Sequence, residues 1–155
     1  MFLLMPAYML HQFEEHVDDR FRRFVDQELG NGRPVLTRLD IFLINVPGVW
    51  GIFAGSFALS ATVALGYGLI PAYSALINVF MNVAPAIKMR RYNPGLISAL
   101  LLLLPTSIWA ITQLSQAEGV TWPYHVLGVG LGAAIHMGIM ALAAKRLRSG
   151  MPRPA

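Results

Sequence analysis

Residues 96–114 read LISALLLLLPTSIWAITQL, nineteen consecutive positions without a Lys, Arg, Asp or Glu. As a helix rising 1.5 Å per residue they cover about 28 Å, close to the ~30 Å hydrocarbon core of a bilayer. Three further stretches, 41–65, 69–87 and 124–144, are equally free of charge and about as long. The composition agrees: 55% of the 155 residues are hydrophobic and 13% are charged, against roughly 25% charged in ordinary soluble domains. We therefore expect an all-α polytopic membrane protein, residues 1–155 forming one membrane domain with four transmembrane helices. There are no cysteines, which excludes disulfides, thiolate metal sites and cysteine nucleophiles.

The positive charges assign the sides. Arg20, Arg22, Arg23, Arg33 and Arg38 precede the first span, Lys88, Arg90 and Arg91 separate the second from the third, and Lys145, Arg146, Arg148 and Arg153 follow the fourth. The connections 66–68 and 115–124 contain no Lys or Arg. The positive-inside rule then places both termini and the 88–95 connection in the cytoplasm. Clustering at span edges accounts for the net charge of +4 without nucleic acid as a partner. Trp122 and Tyr124 fit an aromatic belt at the opposite interface.

The N-terminal segment has a different pattern. Leu10, Phe13, Val17, Phe21 and Phe24 recur at three- and four-residue steps, a helical stripe. Gly30-Asn31-Gly32 and Pro34 supply a stop. These signals predict an amphipathic helix over about 6–29 on the cytoplasmic face, its first turns dipping into the bilayer.

Within it lies HQFEEHVDD (11–19), with two histidines and four acids. On a continuous helix Asp18 and Asp19 would pair with Arg22 and Arg23 at i, i+4, the favourable order. Glu14 and Glu15 have Asp18 and Asp19 at that spacing and are repelled. They need a cation from elsewhere, solvent or a metal. His11 at i, with Glu14 and Glu15 at i+3 and i+4, makes a candidate convergence, and His16 is expected to point away. The stretch contains neither zinc-protease helix motif.

Polar groups at membrane depth usually face a bundle interior. Asn45, Asn78, Asn82 and His136 all fall within roughly 6–15 Å of the cytoplasmic boundary, the side that carries the N-terminal helix. Gly128, Gly132 and His136 stand at four-residue steps, a spacing that lets helices approach closely. Pro47, Pro85 and Pro105 interrupt helical hydrogen bonding and predict kinks that open a cavity. In KMRRYNPG (88–95), Asn93 can cap the third span with Pro94 at its first position.

His11-Gln12-Phe13-Glu14-Glu15 followed by Tyr92-Asn93-Pro94-Gly95 resembles the HxxEE family of small, uncharacterised bacterial membrane proteins, named for H-x-x-E-E and also carrying Y-x-P-G. The resemblance implies that His11, Glu14, Glu15, Tyr92, Pro94 and Gly95 act as a set. It also implies a histidine ten residues before Tyr92, where this chain has Asn82.

Two functional classes follow. One is a membrane-embedded site acting on an apolar small molecule. Its catalytic residues would be Glu14, Glu15 and His11, and a divalent metal is a candidate cofactor on His11, Glu14, Glu15 and His136. Asn45, Asn78, Asn82 and Tyr92 would line it. The other is a non-catalytic accessory or scaffold subunit of a larger membrane complex or homo-oligomer. In both, membrane lipid is the surrounding partner.

Overall fold

The computed structural model describes residues 2–149; Met1 and residues 150–155, Arg153 among them, lie outside that range. Among the described residues there is no strand, and four helices are long and apolar enough to cross a membrane. In chain order the helices are α1 (Leu4–His16), α2 (Arg20–Glu28), α3 (Arg38–Thr62), α4 (Leu65–Met89), α5 (Leu96–Ser115) and α6 (Trp122–Ser149). The protein is an all-α polytopic membrane-type fold.

Helix α4 packs along both α5 and α6. A Cβ at Gly128 would stand 2.9 Å from the Leu69 carbonyl oxygen, and one at Gly132 would stand 3.2 Å from Ser74 Cα. The two glycines thus let α6 lie against the α4 backbone. Two of the three prolines sit beside widened turns. Pro47 lies within a π-helical segment, Ile44–Trp50, and Pro105 follows another, Ala99–Leu103. A wider turn tolerates the missing N–H and relieves the clash of the ring with the carbonyl four residues back. Pro85 is held within regular helix.

The N-terminal segment differs from the expected surface helix in two respects. It is not continuous over 6–29: Asp18 and Asp19 adopt left-handed φ values of 55° and 56°, and α2 starts afresh at Arg20. Aspartate tolerates that conformation, and the bend relieves the i, i+4 repulsion between Glu14/Glu15 and Asp18/Asp19. The helix is also inverted. Leu4, Ala7, Tyr8, His11, Gln12 and Glu15 are buried, while Leu10 and Phe13 are 59% and 70% exposed. Polar side chains turned inward and apolar ones outward suit a helix in lipid, where polar groups must find partners within the protein.

So α1 runs into the bundle beside the start of α5. The Phe2 and Phe57 rings meet at a tilt, 5.6 Å apart, so the amino end of α1 points away from the arginine clusters, and not its first turns alone but the whole of α1 leaves the basic face. Helix α2 alone takes that position, with Phe21, Phe24 and Val25 packed near Val35, Leu36 and Ala143.

The bend also changes the ion pairs. Asp18–Arg22 and Asp19–Arg23 do not form. Asp19 binds Arg22 and Arg38, each at 2.9 Å, and these hydrogen bonds hold its carboxyl down at about 2. Asp18 lies 3.9 Å from Arg20. Two longer-range pairs close the basic end. Arg146 of α6 reaches Asp40 of α3 at 2.6 Å, and Arg91 pairs with Glu28.

Candidate functional site

The two motifs meet face to face. Asn93-Pro94-Gly95-Leu96 forms a turn closed by the Leu96 N–H on the Asn93 carbonyl, at 3.2 Å. Proline in second place and a third-place φ of +90° make it a type II turn. The helix that follows starts at Leu96, and Glu14 of α1 serves it instead of Asn93. Glu14 accepts the Ser98 N–H at 2.7 Å, the Ile97 N–H at 3.3 Å and the Tyr92 hydroxyl at 2.7 Å. A carboxylate here satisfies free N–H groups at the positive end of the helix dipole. Partial burial pushes its pKa up, but the bonds from Ser98 and Tyr92 outweigh that and hold it below the ordinary 4.5. The cation that local pairing required is thus replaced by a helix terminus.

Glu15 points elsewhere, since successive residues on a helix are roughly 100° apart. It and His11, one turn apart, lie directly over Gly95. A Cβ there would be 2.5 Å from Glu15 Cγ and 2.7 Å from His11 Cε1. The imidazole is fully buried. Its Nδ1 faces Ser98 Oγ at 3.0 Å, and that hydroxyl donates onward to the Gly95 carbonyl, so Nδ1 is the donor to serine. Its Nε2 faces Glu15 Oε1 at 3.2 Å in an ion-pair contact, not an aligned hydrogen bond. With Nδ1 donating to serine, Nε2 is the ring atom turned to the Glu15 carboxylate, and the two form an ion pair when the ring is protonated.

His16 does not point away as expected. Its Nε2 accepts from the Asn45 amide at 2.7 Å and stands 3.8 Å from Glu15 Oε2. The same Asn45 accepts from Gln12 at 2.9 Å, and the Trp50 indole donates to Gln12. On the other flank Asn78 donates to the Tyr8 hydroxyl at 2.8 Å. Asn82 donates to Asn78 at 2.8 Å, and the Asn93 amide donates to the Asn82 carbonyl at 2.9 Å.

These two chains of hydrogen bonds border one cavity of about 610 Å³, within the usual size of small-molecule sites. Glu15, His16, Asn45, Asn78, Asn82 and His136 line it, among predominantly apolar neighbours from α2, α3, α4 and α6. The four polar residues singled out within the spans are thereby brought together. Glu14 and Tyr92 belong to the joint outside the cavity, and His11 sits behind Glu15.

Metal ligation by His11, Glu14, Glu15 and His136 is not supported. Among the described residues no group of three or more His, Cys, Asp or Glu side chains could hold an ion. Glu14 is drawn to the α5 backbone, His11 Nδ1 is committed to Ser98, and His136 Nδ1 lies 2.8 Å from the carbonyl of Gly132. Tyr8, Gln12, Trp50 and Ser98 were not foreseen. Tyr8 and Gln12 share the i, i+3, i+4, i+7 row of His11 and Glu15, so the spacing carried the signal for those two.

A family model for proteins of unknown function with an HXXEE motif matches residues 2–110. The chain belongs to the HXXEE family. The match takes in α1 through most of α5, hence the whole joint, and ends before α6 and His136. No curated protein and no solved structure matches the chain.

Proposed function

We propose that this HXXEE protein is a membrane-embedded binding site for an apolar small molecule, with Glu15 as the group able to exchange a proton with it. The observation that carries the reading is the cavity of about 610 Å³, apolar over most of its wall, with Glu15, His16 and His136 on one lining. A carboxylate beside two imidazoles inside a low-dielectric bundle is a setting suited to acid–base work. His11 and Glu14 act as positioning residues: the first holds Glu15 and the second fixes α1 to α5. We further propose that the arginine-rich side, with α2 and the end of α6, faces the cytoplasm of a bacterial cell, following the charge bias.

Native mass spectrometry of the full chain, released from mild detergent, tests the binding reading. Bound apolar molecules should appear as discrete mass adducts, which Ala84→Phe, placed on the cavity wall, should remove. Adduct-free wild-type protein that elutes within a larger assembly would refute it and leave the accessory-subunit reading standing.

A further inference from the structure

Three side-chain oxygens on the cavity wall receive no hydrogen bond from a described residue. Asn93 is 4% exposed, and its Oδ1 is buried without a partner. The Asn93 Nδ2 donates to the Asn82 backbone carbonyl, which fixes which end of the amide is the oxygen. Asn82 is oriented in the same way, its Nδ2 donating to Asn78. Among the described residues nothing donates to Asn82 Oδ1. Glu15 Oε2 is in the same position: His16 Nε2, 3.8 Å away, is itself an acceptor from Asn45. All three oxygens belong to side chains that line the one cavity.

The remainder of the wall says where a ligand comes from. Phe80, Met81 and Met140 line the cavity and are 62%, 42% and 44% exposed, on helices that cross the membrane. Their outward faces meet lipid, not water. Toward the basic end the cleft between α3 and α6 is tied by Arg146–Asp40 and packed by Val25, Leu36 and Ala143. The apolar side of the cavity thus opens laterally past Phe80, Met81 and Met140, while the exposed Glu28 and Lys88 line its wall toward the basic end.

We infer that the cavity takes a membrane-dissolved amphiphile with an uncharged hydroxyl head, which enters sideways from the lipid. The head donates among Glu15 Oε2, Asn93 Oδ1 and Asn82 Oδ1, and the aliphatic tail lies along Phe80, Met81 and Met140. An anionic head seated at these three oxygens would meet a carboxylate and two amide oxygens, since Lys88, the cation on the same wall, lies toward the basic end beside Met89. A cationic head would compete for Glu15 with the His11 ring, which already faces that carboxylate at 3.2 Å, and unbalanced charge is costly in a low-dielectric interior. This inference rests on the binding reading above and deepens it.

Three equal-length long-chain probes, an alcohol, an amine and a carboxylic acid, each with a mid-chain diazirine and a terminal alkyne, are photolysed with the full chain in proteoliposomes. The alcohol should label 80–84 and 139–140 saturably and be displaced by unlabelled long-chain alcohol. Glu15→Gln should weaken it about fivefold, the difference between a charged and a neutral acceptor, and Ala84→Phe should abolish it. Thermal melts of both variants in detergent establish that they are folded. Equal or stronger saturable labelling by the acid or the amine overturns the head assignment while leaving the binding reading intact. Absence of saturable labelling by all three overturns the inference. The mass-spectrometric adducts then decide the binding reading separately.

Discussion

Replacing Gly95 with alanine tests whether the 11–15 motif and the 92–95 turn form one joint. Gly95 has φ +90°, so any L-residue incurs a backbone cost of about 1–2 kcal/mol. The new methyl would also stand 2.5 Å from Glu15 Cγ, 2.7 Å from His11 Cε1 and 3.0 Å from Glu15 Oε1. Neither neighbour can yield freely, since His11 is tied to Ser98 and Glu15 to His11. Overpacking a closed site costs roughly a further 1–3 kcal/mol, for a total of about 2–5 kcal/mol. Gly119 is the control: its φ is +78°, but a Cβ there meets nothing within 4 Å. Gly119→Ala should cost the backbone part alone. Reversible unfolding in mixed micelles, followed by circular dichroism, measures both. If Gly95→Ala is no more destabilising than Gly119→Ala, α1 does not seat against the turn and the joint is wrong.

Glu14 should contribute stability in one direction of pH. Its folded pKa is lowered, so the contribution is full above the ordinary 4.5 and is lost as pH falls through the folded value; melts from pH 7 downward should show the gap between wild type and Glu14→Gln closing at low pH. Gly128→Ala, whose Cβ would meet the Leu69 carbonyl at 2.9 Å, should loosen α6 from α4, whereas Gly130→Ala, which meets nothing within 4 Å, should be neutral or stabilise by a few tenths to about 1 kcal/mol in the same assay. Arg146→Met leaves the buried Asp40 carboxylate with Thr37 alone and should destabilise by about 1–3 kcal/mol, less than a fully buried pair because Arg146 is partly exposed. Because the chain has no cysteine, Gln27→Cys and Glu118→Cys report sidedness. A membrane-impermeant maleimide applied to spheroplasts should label residue 118 and spare residue 27, and the reverse pattern would invert the topology.

The spans were legible because their signal is additive: about twenty apolar residues without charge admit few readings. The gathering of Asn45, Asn78, Asn82 and His136 was legible for a related reason, since depth follows from residue count along a straight helix. The placement of α1 was not. Periodicity shows that a helix has an apolar face and a polar face, but not which faces inward. Water and lipid reverse that choice, and only the partners of His11, Gln12 and Glu15 decide it. The break at Asp18–Asp19 was hidden because continuous helix and bent helix share the same local propensities. The repulsion among four neighbouring carboxylates that the break relieves was visible in the spacing. His16 was missed for the same reason, as its direction depends on where the helix stops.

The glutamates of H-x-x-E-E, adjacent in sequence, have separate tasks because a helix turns about 100° between them. Glu14 reaches sideways to the first turn of α5, and Glu15 faces Gly95, His11 and the cavity. One residue fewer between the histidine and the second glutamate would lose the i, i+4 contact that aligns His11 with Glu15. One residue more would carry the carboxylate off Gly95. The turn is equally constrained: Pro94 and Gly95 set its type, Gly95 admits the side chains above it, and Tyr92 meets Glu14. The spacing of both motifs is thus what a single α1–α5 joint requires. The histidine of α6 lies outside the matched region, yet it lines the same cavity. The joint lies wholly within the matched region, whereas the α6 wall of the cavity lies outside it.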